Sequence, residues 1–111
     1  MNTTDRSEML PGTLEMLVLK TLSLGSMHGY GVAQHIQRLS RDVLRVEEGS
    51  LYPALQRMQV KGWVTSEWKQ SPTNRRARYY RLTAAGRKQL GLETSSFRGV
   101  IDAISRVLQA E

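Results

Sequence analysis

Apolar and polar positions change their spacing several times along the chain, and each change marks an element. Between Leu10 and Leu24 the residues Leu14, Met16, Leu17, Val18, Leu19 and Leu22 leave almost no polar face. That pattern predicts a helix buried on more than one side, with Pro11 in its first turn. Gly25-Ser26-Met27-His28-Gly29 interrupts it. Val32, Ala33, Ile36 and Leu39 then form the inward stripe of a second helix, from about Tyr30 to Leu39. A connection from Ser40 to Val46 follows, with Leu44 or Val46 packing inward. Leu51, Leu55 and Met58 recur at i, i+4 and i+7, which predicts a third helix over about 48–61. Glu47 and Glu48 stand where the helix dipole favours negative charge, and Gly62 where a left-handed residue would end the helix. Trp63 to Lys69 alternates around Val64, Ser66 and Trp68. Ala77 to Thr83 places Tyr80 and Leu82 on one face, Tyr79 and Arg81 on the other. With the turn residues of Gln70 to Arg76 between them, these segments predict a β-hairpin. Thr83 is placed to cap a final helix, in which Leu90, Phe97, Ile101, Ile104 and Leu108 step by 7, 4, 3 and 4.

The fold class expected is mainly α with a β-hairpin wing. Two short helices, a brief connection and an amphipathic basic helix make a helix-turn-helix pattern, and the hairpin makes it winged. Residues 1–9 are read as a flexible N-terminus, 10–83 as the winged helix-turn-helix, and 84–111 as a C-terminal dimerisation helix. About 25 helical residues would extend roughly 40 Å, too long for so small a core to cover. A second copy of the chain is therefore the expected partner of the seam, with Leu14 and Leu17 of the first helix on the same dimer face as Leu90, Phe97, Ile101, Ile104 and Leu108.

Charge assigns the other partner. The 111 residues carry a formal net charge of +6. From Gln56 to Lys88 nine Lys or Arg stand against the single acid Glu67, a net +8, so the remainder carries −2. A localised excess of this kind is the footprint of nucleic-acid contact, and double-stranded DNA is the partner expected of a winged helix-turn-helix. Arg57 and Lys61 on the third helix are expected to reach phosphate, and Arg75, Arg76 and Arg78 to form a basic wing over about 70–78. Ser50 and Tyr52 supply hydroxyls for base edges or phosphate at the start of the third helix. No cysteine, nucleophile elbow, Walker loop or dinucleotide fingerprint is present, and His28 and His35 lack a third ligand at metal spacing. The expectation is no enzyme, no metal and no cofactor. The N-terminus lacks a signal-peptide pattern and no apolar run suggests a membrane span, so a cytoplasmic protein is expected.

Leu10-Pro11-Gly12-Thr13-Leu14, His28-Gly29-Tyr30, Gly49-Ser50-Leu51-Tyr52-Pro53-Ala54-Leu55, Gly62-Trp63 and Arg78-Tyr79-Tyr80-Arg81-Leu82-Thr83 together resemble PadR-like transcriptional regulators, from Leu10 to about Leu108. The resemblance implies a winged helix-turn-helix homodimer joined chiefly through the first and last helices. It also implies a repressor of an inverted-repeat operator. By position, Ser50, Tyr52 and Pro53 match the start of the family's recognition helix, and Arg75, Arg76 and Arg78 its wing. Tyr52 and Pro53 also have a plainer reading, shaping the helix start and packing on the second helix. Phe97 stands where short members commonly carry a tryptophan that can sandwich a planar ligand across the dimer. The alternative functions are thus a ligand-responsive sensor, with Phe97 as the effector contact, or a winged-helix module for protein–protein assembly.

Overall fold

The computed structural model describes residues 12–110. Leu10 and Pro11, and with them the expected start of the first helix and the flexible N-terminus, lie outside the described residues. The elements run α1 (Thr13–Leu22), β1 (Met27–His28), α2 (Gly29–Leu39), α3 (Glu48–Val60), β2 (Val64–Gln70), β3 (Arg76–Leu82) and α4 (Ala84–Gln109). The strands form an antiparallel sheet in the order β1-β3-β2. Met27 pairs with Tyr80 and His28 with Tyr79, while β2 and β3 pair from Val64↔Leu82 to Gln70↔Arg76. The short β1 was not expected; two residues inside a Gly-rich breaker carry no readable alternation.

One core joins α1, α2, α3 and the base of the sheet. Val18, Leu19, Leu22, Val32, Ile36, Leu51, Leu55, Met58, Val64, Tyr80 and Leu82 form it, with Leu14, Leu17, Met27, Ala33, Leu44, Val46, Trp63 and Leu90 packed against its edge. The i, i+4, i+7 stripe of α3 is buried as its spacing requires, joined by Ala54. Helix ends account for most departures from expectation. α1 stops at Leu22, leaving Leu24 exposed, and Leu39 at the last turn of α2 is 65% exposed. Both continue an apolar period past the point where the backbone turns away from the core. Trp68 is 57% exposed, because β2 outruns the core that covers its Val64 end.

Caps join the elements. The His28 ring accepts from the Gly31 N–H at the start of α2 (3.0 Å). Gly62 takes φ +80°, and the Gly62 and Trp63 N–H groups close onto the carbonyls of Gln59 and Met58. This is the left-handed termination anticipated for α3. Thr83 Oγ1 accepts from the Gly86 N–H (3.0 Å) and donates to the Gly62 carbonyl (2.7 Å). The same side chain therefore caps α4 and fastens it to the end of α3. α4 has 26 residues, about 39 Å. Its outer half is uncovered: Phe97, Ile101, Ile104 and Leu108 are 41%, 42%, 48% and 78% exposed. Among the described residues no helix is long and apolar enough to cross a membrane.

Candidate nucleic-acid interface

α3 presents three strips beside its buried one. The outward ridge carries Gly49, Pro53, Gln56 and Val60, all exposed. One flank carries Ser50, Arg57 and Lys61, also exposed. Arg57 turns towards α1, where its Nε donates to Glu15 Oε2 at 3.2 Å. Lys61 lies just past α3, with its ammonium 4.6 Å from the centre of the Trp63 ring. The other flank carries Tyr52 and Gln59 and faces α2 and the hairpin.

Tyr52 is fitted against the first residue of α2. A Cβ on Gly29 would lie 2.6 Å from Tyr52 Cε1 and 2.9 Å from its hydroxyl oxygen, so only glycine there lets the ring rest in place. Burial, and then the nearby Glu48 carboxylate and Tyr80, push the phenol above the usual 10.0. Tyr52 is therefore a neutral hydroxyl near pH 7, able to donate or accept. The ring packs on α2, as the plainer reading expects, while 43% of the residue remains exposed.

The hairpin holds its cations in fixed places. Its tip closes through Ser71: the Ser71 N–H donates to Arg75 O, the Asn74 N–H to Ser71 O, and Ser71 Oγ accepts from the Arg75 N–H. Asn74 takes φ +66°, and Gln70 Nε2 donates to both Asn74 oxygens. Trp68 pairs across the strands with Arg78, and the guanidiniums of Arg76 and Arg78 lie 5.5 and 5.9 Å from its ring centre. Arg78 Nε also donates to Ser66 Oγ (2.9 Å), which donates to Gln59 Oε1 (3.0 Å). A continuous polar chain thus runs from the wing to α3.

Between these parts lies an open concavity of about 920 Å³, whose lining includes Tyr30, Gln34, Tyr52, Trp68, Ser71, Arg75, Arg76 and Arg78. It gathers four of the expected site residues: Tyr52, Arg75, Arg76 and Arg78. Ser50 and Pro53 lie outside it on α3, and Arg57 and Lys61 are turned away from it. Tyr30, Gln34, Gln59, Ser66 and Trp68 belong to this region without having been singled out. Trp68 opposite Arg78 carried no signal in the sequence, because only strand register brings the two together.

A family model described as the transcriptional regulator PadR-like family matches residues 18–92. A PadR-like transcriptional regulator from Bacillus cereus is 31% identical, with a TM-score of 0.78 over 93% of this chain and 98% of that one. A PadR family transcription regulator from Clostridium difficile is 27% identical, with a TM-score of 0.76 over 87% and 99%. An uncharacterized protein of Lysinibacillus sphaericus is 23% identical over 107 residues, covering 94% of this chain and 98% of its own. The family match spans the helix-turn-helix core, the wing and the first turns of α4. With a winged fold shared over nearly whole chains and a family that regulates transcription instead of catalysing reactions, this chain belongs to the PadR-like family of transcriptional regulators.

Proposed function

We propose that the protein is a homodimeric repressor that binds an inverted-repeat operator in double-stranded DNA. The observation that carries this is the concavity, which sets Tyr52 beside three wing arginines and next to an uncovered ridge of α3. α3 enters the major groove along its exposed ridge, with Ser50, Tyr52 and Pro53 at its leading end, and Arg75, Arg76 and Arg78 hold the neighbouring phosphates. Arg57 and Lys61, exposed on the flank of α3, add contacts to the backbone, Arg57 from its pairing with Glu15 and Lys61 from beside Trp63. Two copies joined along α4 and α1 present their helices to successive major grooves, about 34 Å apart.

Arginine contacts to phosphate release counterions, so affinity falls as salt rises. Replacing Arg75 and Arg76 by Ala should reduce the slope of log affinity against log salt by about two, roughly one per phosphate contact. The measurement is a gel-retardation titration at several salt concentrations. A slope unchanged by the double substitution, or no preference for any selected sequence over random DNA, overturns the proposal.

The effector reading rests on Phe97. A hollow of about 240 Å³ between Phe97, Glu93, Ser96, Gly12, Thr13 and Met16 lies beside it. In the single chain this falls below the roughly 300–1,000 Å³ of small-molecule sites, and an effector site across the dimer would be completed by the second copy.

A further inference from the structure

The outward ridge of α3 carries no charge. Gly49, Pro53, Gln56 and Val60 recur at i, i+4, i+7 and i+11, opposite the buried Leu51, Leu55 and Met58. A side chain added at Gly49 would meet nothing within 4 Å, and Val60 is 80% exposed. No side-chain hydrogen bond engages Gln56 among the described residues. The two cations at this end of the helix, Arg57 and Lys61, lie off the ridge and face Glu15 and Trp63. A single exposed valine is ordinary. One in line with a proline and a free amide, on the strip that would enter a groove, has a definite chemistry.

Without Arg or Lys on the ridge, the guanidinium or ammonium fork onto guanine O6 and N7 is not available there. A glutamine amide can instead donate to adenine N7 while its carbonyl accepts from the adenine amino group, and an apolar side chain suits the thymine C5-methyl. We infer that the ridge reads A·T base pairs in the major groove, with Gln56 on an adenine and Val60 on a thymine methyl. Four helical residues separate the two side chains, about 6 Å along the axis. At about 3.4 Å per base-pair step, the two pairs lie within one or two steps of each other. The wing supplies affinity and the ridge supplies choice. This inference rests on α3 being the recognition helix, as proposed above.

The test uses the full chain and DNA recovered from a random library. Half-sites should contain A·T pairs at two nearby positions. Replacing the thymine by uracil, which removes only the methyl, should weaken wild type several-fold and leave Val60→Ala unaffected. Replacing the adenine by 7-deazaadenine should cost wild type about tenfold and Gln56→Ala little. Both positions are exposed, so unchanged thermal unfolding of the variants shows that folding is not the cause. G·C pairs at both positions, or equal responses of wild type and variants to the base analogues, overturn the inference. Specific, salt-dependent binding together with silent analogues overturns it alone, whereas failure to retain any DNA overturns the recognition-helix reading as well.

Discussion

Tyr52 serves two neighbours with one ring, and the consequences can be separated by experiment. Its phenol titrates above 10.0 in the folded chain, chiefly through burial. The folded state thus holds the proton more tightly than the unfolded state. The stability contribution is fully present below the unfolded value and is lost as pH rises through the folded one. Urea denaturation between pH 9 and 11 should show that decline in wild type, and Tyr52→Phe should flatten it. Trp68 is a different case. Its ring sets the positions of Arg76 and Arg78 without contributing charge. Trp68→Ala should therefore lower DNA affinity several-fold while leaving the salt slope intact, and Trp68→Phe should restore much of the loss. Arg57 has a neighbour that charge counting does not reveal. Its count within the basic segment was correct, but Glu15 comes from another helix, 42 positions earlier in the chain. Nothing in the spacing of α3 reveals that partner.

Elements are defined here mostly by their ends. The end of α3 and the start of α4 share one joint: Thr83 bonds Gly62 and Gly86, and the Thr83 N–H donates to the Trp63 carbonyl (3.0 Å). Gly86 is buried there, and a Cβ on it would run into the Trp63 carbonyl and Leu82. Gly86→Ala should destabilise the chain by about 1–3 kcal/mol through overpacking, despite the better helix propensity of alanine. Chemical-denaturation midpoints with unchanged m-values would show it. The left-handed Gly62, the Thr83 cap and the buried stripe of α3 were legible in sequence, because each depends on neighbours a few residues away. Leu24 and Leu39 were misread because apolar spacing continues after the helix axis has left the core. The wing's basic tip was legible, but its turn closes one residue inside the expected boundary on each side, over Ser71 to Arg75.

At the scale of the whole molecule, the extents of 58 × 32 × 20 Å show how far α4 projects from the core. Leu90 belongs to the core edge, whereas Phe97, Ile101, Ile104 and Leu108 continue the same line into solvent. At roughly 25 cal/mol per Å² of apolar surface, covering such a seam would favour the proposed pairing of two copies. Sedimentation at micromolar concentration should give twice the monomer mass, and truncation after Gly91 should give a monomer. A full-length monomer would refute the dimer. The sequence by itself determined the helices, the hairpin, the localised charge and the heptad-like seam, because periodicity, capping and composition act over a few residues. Only the tertiary structure decided what each cation lies against. Packing turns Arg57 towards α1, sets Lys61 over Trp63, lays Tyr52 on Gly29 and brings the wing arginines to the same concavity. Those arrangements join residues distant in the chain, and the local pattern contains no record of the distance between them.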